Sequence, residues 1–93
     1  MSNATHNDAI IAYPNPFHDN IILSLKSGAG ARKLQVMMYN VKGNIVYSNE
    51  FVNIQKGEQI KIITNNNLAP GVYTIVILNA DTKETKTLKV LKQ

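Results

Sequence analysis

The sequence contains no cysteine and no tryptophan, and only 6% of its residues are aromatic. Without cysteine there is neither a disulfide framework nor a thiolate metal site. The redox compartment stays open, because a disulfide-free protein can live anywhere. No run approaches the roughly 20 apolar residues of a membrane helix, so no membrane insertion is expected. Met1-Ser2-Asn3-Ala4 has no apolar stretch and is not a signal peptide; it reads as a start residue plus a cloning scar. Residues 1–6 are therefore read as a tag or linker remnant, and 7–93 as one domain cut from a larger protein.

Arginine is nearly absent too: Arg32 stands alone. The net charge is still +4, with a pI of about 9.5. It comes from scattered lysines, Lys26, Lys33, Lys42, Lys56, Lys61, Lys83, Lys86, Lys89 and Lys92, with no aromatic residue interleaved. Nucleic-acid modules show a basic stripe with arginine or stacking aromatics. The charge reads as solubilising, and no nucleic-acid partner is expected.

What is present is a hydrophobic fraction of 44%, ordinary for a globular chain. Pro70-Gly71 is turn chemistry, because proline presets φ and glycine accepts φ > 0. Behind it runs Val72–Leu78, read as the central strand, with Tyr73, Ile75 and Ile77 toward the core and Thr74 on the other face. Ala9–Tyr13 is an apolar edge strand that stops at Pro14-Asn15-Pro16, where two ladder donors are missing. Phe17 drops back onto the core. Asn20–Lys26 points Ile21, Leu23 and Leu25 inward, and Ser27–Gly30 is a loop. Arg32–Tyr39 points Leu34, Val36 and Met38 inward and Met37 outward. Val41–Asn44 is a hairpin connection using Gly43, and Ile45–Asn49 is the returning partner. Lys56-Gly57-Glu58 is a turn; Gln59–Thr64 points Ile60 and Ile62 inward; Asn65–Asn67 is a corner. After Asp81-Thr82-Lys83, Thr85–Lys92 closes the chain with Leu88 and Val90 inward. Lysines at i, i+3 in this tail also fit a basic helix, but Thr85, Thr87 and Val90 favour a strand, since β-branched side chains lose χ1 freedom in helices. About seven short strands and no helix predict an all-β antiparallel sandwich.

Little here suggests chemistry. His6 and His18, with Asp8 and Asp19 near them, fall short of the convergent ligands a metal needs. Asp8, Asp19 and Asp81 are separated carboxylates without a calcium loop and suit turns instead. There is no GxSxG and no cysteine nucleophile, and a sandwich of this size has little room for a pocket. Neither an enzyme nor a cofactor or metal is expected. Tyr73 reads as a core tyrosine whose hydroxyl caps a nearby backbone group.

Three stretches then line up: Tyr13-Pro14-Asn15-Pro16-Phe17, Tyr39-Asn40-Val41-Lys42-Gly43-Asn44-Ile45-Val46, and Leu68-Ala69-Pro70-Gly71-Val72-Tyr73 before a final Leu88-Lys89-Val90-Leu91-Lys92. In this order, over about residues 10–93, the sequence resembles the type A C-terminal sorting domain of type IX secretion cargo. The resemblance implies an immunoglobulin-like β-sandwich carried at the end of a larger passenger protein, serving as an address and not a catalyst. It implies export to the periplasm, recognition by the outer-membrane translocon, and delivery to the cell surface or the medium. Removal by a sortase-like protease is implied as well. Recognition would fall on Leu88, Lys89, Val90, Leu91 and Lys92. Cleavage would fall near or before Asn7, Asp8, Ala9 and Ile10. Tyr13, Pro14, Asn15, Pro16, Gly43, Gly71 and Tyr73 are the motif positions. Gln93 departs from the lysine or arginine on which many members stop. An exposed terminal edge strand suits such a role, because a receptor can add it to its own sheet. The alternative is a carbohydrate-binding accessory module of a secreted enzyme, with Tyr47 and Phe51 as a sugar platform.

Overall fold

Each alternating segment becomes a strand in the computed structural model of the chain, which describes residues 10–25, 31–55, 57–64 and 68–93. The strands are β1 (Ile10–Tyr13), β2 (Asn20–Leu25), β3 (Ala31–Tyr39), β4 (Ile45–Ile54), β5 (Gln59–Ile63), β6 (Gly71–Asn79) and β7 (Thr85–Lys92). They form an antiparallel sandwich with a three-stranded sheet, β1-β2-β5, and a four-stranded sheet, β4-β3-β6-β7. The immunoglobulin-like expectation holds, with β4 joining β3 in the larger sheet. The tail is a strand and not a helix. The expected loop at 27–30 and corner at 65–67, together with Leu25's side chain, His6, Asn7, Asp8 and Ala9, lie outside what is described.

Period-two alternation decides the core. Ile21 and Leu23 of β2, Val36 and Met38 of β3, Ile62 of β5 and Ile75 of β6 are fully buried, as is Phe17. Leu34, Ile54, Ile60, Tyr73, Ile77 and Val90 complete the cluster. Burying each such side chain stabilises the fold by roughly 1.5–3 kcal/mol relative to exposure. Met38 is core and Met37 half-buried on the outer face, where the Tyr39 hydroxyl donates to its sulfur at 3.5 Å. β6 lies between β3 and β7.

β4 runs past the expected end at Asn49 to Ile54. Its polar stretch pairs in register with β3, Met37↔Ser48 and Gln35↔Glu50. A border strand bathes one side in water, so polar residues there do not interrupt it. Asn53 takes φ 56° before Ile54 returns to the core. The β3–β4 connection is built on Asn40, whose Oδ1 accepts from the N–H groups of Lys42 (2.9 Å) and Asn44 (3.0 Å), with Gly43 at φ +88°. On the β4 border the Asn49 Oδ1 accepts from the Glu50 N–H at 2.8 Å.

Candidate functional site: the border of β7 and the segment that clips it

β7 pairs with β6 on one side, from Leu78↔Thr85 to Gly71↔Lys92. Peptide groups in an antiparallel strand point alternately to either neighbour. Those of Thr85, Thr87, Lys89, Leu91 and Gln93 therefore point away from β6, toward the border.

Part of that border is filled. The Phe17 N–H donates to the Leu91 carbonyl at 2.8 Å, and the Gln93 N–H donates to the Phe17 carbonyl at 2.9 Å. Phe17 thereby forms a parallel bridge with Lys92. One step earlier the Leu91 N–H donates to Asn15 Oδ1 at 2.9 Å, and Asn15 Nδ2 donates to the Lys89 carbonyl at 3.4 Å. A side-chain amide carries a donor and an acceptor, so Asn15 can stand in for a peptide group. The exposed edge expected here is thus partly covered: the Lys89 carbonyl, both Leu91 groups and the Gln93 N–H are bonded. Among the described residues, the outward groups of Thr85 and Thr87 and the Lys89 N–H have no such partner.

The clip arises where the chain leaves β1, in the smaller sheet, and crosses to the border of the larger one. Pro14 and Pro16 cannot extend the β1 ladder. The Tyr13–Pro14 and Asn15–Pro16 bonds are both cis. The Phe17 peptide groups are aimed at β7, and Pro16 before it has no N–H to offer. Phe17 anchors the clip: its ring is fully buried and meets Tyr73 edge to face, centroids 6.5 Å apart. The Tyr73 hydroxyl donates to the Ala69 carbonyl at 2.6 Å, holding the turn before β6. Gly71 opens β6 opposite Lys92 with φ +148°. The Tyr13 hydroxyl accepts from Gln59 Nε2 at 2.9 Å.

Asn15, Gly71, Tyr73 and the recognition stretch Leu88–Lys92 are therefore brought together. Gly43 is not; it serves the β3–β4 turn on the other side of β6 from β7. Within the stretch, Val90 is core and Leu88 half-buried, while Lys89 and Leu91 are exposed. Leu91 stands beside exposed Val72 across the strand pair. Lys92 Nζ donates to the Gln93 carbonyl at 2.9 Å. Ile10 opens β1, and the other cleavage-region residues are outside the described set. Sequence reasoning missed that Asn15 and Phe17 pair with β7; an asparagine between two prolines beside an edge strand was the available signal.

Other chemistry finds little support. Among the described residues no group of three His, Asp or Glu side chains converges as metal ligands would. The Asp81 carboxylate accepts from the Arg32 N–H at 2.9 Å. Tyr47 and Phe51 pair in register with buried Met38 and Leu34 and pack half-buried against the core. They face inward and form no platform, so the carbohydrate-binding alternative is not supported.

None of the curated proteins compared with the chain matches it. Among solved structures, PorZ, described as an essential bacterial surface component of the type-IX secretion system of Porphyromonas gingivalis, is similar at a TM-score of 0.70 and 20% identity. The likeness covers 97% of this chain and 12% of that one, so it shows a shared fold with a small part of a longer protein. The family model described as the secretion system C-terminal sorting domain matches residues 11–92, and the chain belongs to that family.

Proposed function

We propose that residues 7–93 are a non-catalytic signal that directs a larger protein through the type IX outer-membrane translocon, after which a sortase-like protease removes it. A domain of this family is a type IX sorting signal, and the protein that carries it is exported and secreted or attached at the surface. The match over residues 11–92 carries the reading. Leu88–Lys92 is the stretch the translocon reads, supported by its place on a sheet border, where backbone groups can be handed to another strand. Cutting near or before Asn7–Ile10, at the head of β1, keeps β2 to β7 in the released domain. The passenger reaches the periplasm first and the surface last.

Fusion of residues 7–93 to an inert reporter, in a host with type IX machinery, is expected to bring the reporter to the cell surface. A reporter that stays periplasmic, while a known sorting domain works in parallel, refutes the reading. Removing Leu88–Gln93 would also remove buried Val90, so a gentler variant separates signal from fold. Lys89→Glu alters an exposed side chain and is expected to lower export with the melting temperature unchanged.

A further inference from the structure

The part of β7 that the proposed function assigns to recognition coincides with the part already occupied. The Lys89 carbonyl, both Leu91 groups and the Gln93 N–H are taken by Asn15 and Phe17. Inward side chains in that stretch are shielded, with Val90 in the core. A further strand finds few donors in the clip to pair with, because neither Pro14 nor Pro16 has an N–H.

We propose that Asn15–Phe17 is a resident strand, and that the partner reading the tail is an extended polypeptide segment that displaces it and takes over the same bonds. This rests on the sorting-signal reading. The resident defines what its replacement must supply. It must run parallel to β7, as Phe17 does beside Lys92. It must give an acceptor to the Leu91 N–H and the Gln93 N–H, and a donor to the Leu91 carbonyl. It must bring an aromatic side chain to the place against Tyr73 that Phe17 now fills. The clip continues directly from β1 and hence from the upstream connection to the passenger. Displacement at the tail therefore frees the segment that follows β1, while β1 itself stays paired with β2.

The chain has no cysteine, so a disulfide can close the clip without competing thiols. His18 and Gln93 are exposed and follow the Phe17↔Lys92 bridge by one residue on each side. In the reporter fusion, His18→Cys with Gln93→Cys is expected to melt no lower than wild type. Its oxidised form should reach the surface roughly 100-fold less than wild type, the low end of what an intramolecular tether adds. Added dithiothreitol should restore export, and each single variant should be exported normally. A second pair on the outer face, Lys33→Cys with Val52→Cys, closes β3 to β4 and should leave export unchanged. Normal export of the oxidised clip overturns displacement and favours pairing at Thr85–Lys89 instead. Retention of both oxidised pairs overturns the assignment to the clip. Failure of the wild-type fusion itself refutes the sorting reading and is seen separately.

Discussion

Replacing Asn15 by alanine removes the Leu91 N–H acceptor at 2.9 Å and the Lys89 carbonyl donor at 3.4 Å. The first bond has ordinary geometry. The second sits at the outer limit and contributes little. A net hydrogen bond is worth about 1 kcal/mol, and the site is exposed, so water partly replaces the lost partner. The expected loss is therefore about 1 kcal/mol, a fall in melting temperature of roughly 4–8 °C for a domain this small. The local readout is sharper. The Leu91 amide should be protected from hydrogen exchange in the wild type and exchange roughly fivefold faster in Asn15→Ala, at 1.4 kcal/mol per factor of ten. Asn15→Asp tests which bond matters. A carboxylate keeps the acceptor for Leu91 and sets an oxygen in place of the weak donor facing the Lys89 carbonyl, a repulsion that water screens at this exposed site and that the positive charge of Lys89 on the same border offsets. Asn15→Asp should therefore stay within about 0.5 kcal/mol of wild type. Equal losses in the two variants, or a Leu91 amide already unprotected in the wild type, would refute the account of Asn15 as a substitute peptide group.

Phe17→Ala empties a fully buried ring site and should cost about 3–5 kcal/mol in urea unfolding. Against the roughly 5–14 kcal/mol available to a chain of this length, that takes a large share of the total, and a loss under about 1 kcal/mol would mean the ring is not core. Lys83 holds φ 67° in the turn before β7, a left-handed conformation that a side chain disfavours. Lys83→Gly should raise stability by about 0.5–1 kcal/mol after the extra flexibility of unfolded glycine is counted, and a lower melting temperature would contradict this.

Strands and their inward faces were legible because period two is a local pattern. Ile21 and Leu23, Val36 and Met38, Ile60 and Ile62, and Ile75 and Ile77 are buried as the alternation requires. β4 was read as ending at Asn49 because Glu50 and Asn53 break the apolar pattern beyond it, and its pairing with β3 carries the strand on to Ile54. The division into sheets was not legible, since pairing preferences hardly distinguish one amphipathic strand from another. The clip was the least accessible feature of all. Its bonds join Asn15 to Lys89 and Leu91, 74 and 76 positions away. No periodicity spans such a distance. The sequence shows only that two prolines bar ordinary pairing, not what the intervening asparagine does instead.

Asn49 does at the opposite rim of the four-stranded sheet something akin to what Asn15 does beside β7: its Oδ1 caps the outward N–H of the neighbouring Glu50. Fibrillar growth needs bare main chain on both flanks of a template, so that each newcomer can hydrogen-bond to the last. Here each flank is interrupted by an amide head group. A second copy of this sheet laid alongside therefore meets main chain that is broken near Glu50 on one flank and between Lys89 and Gln93 on the other.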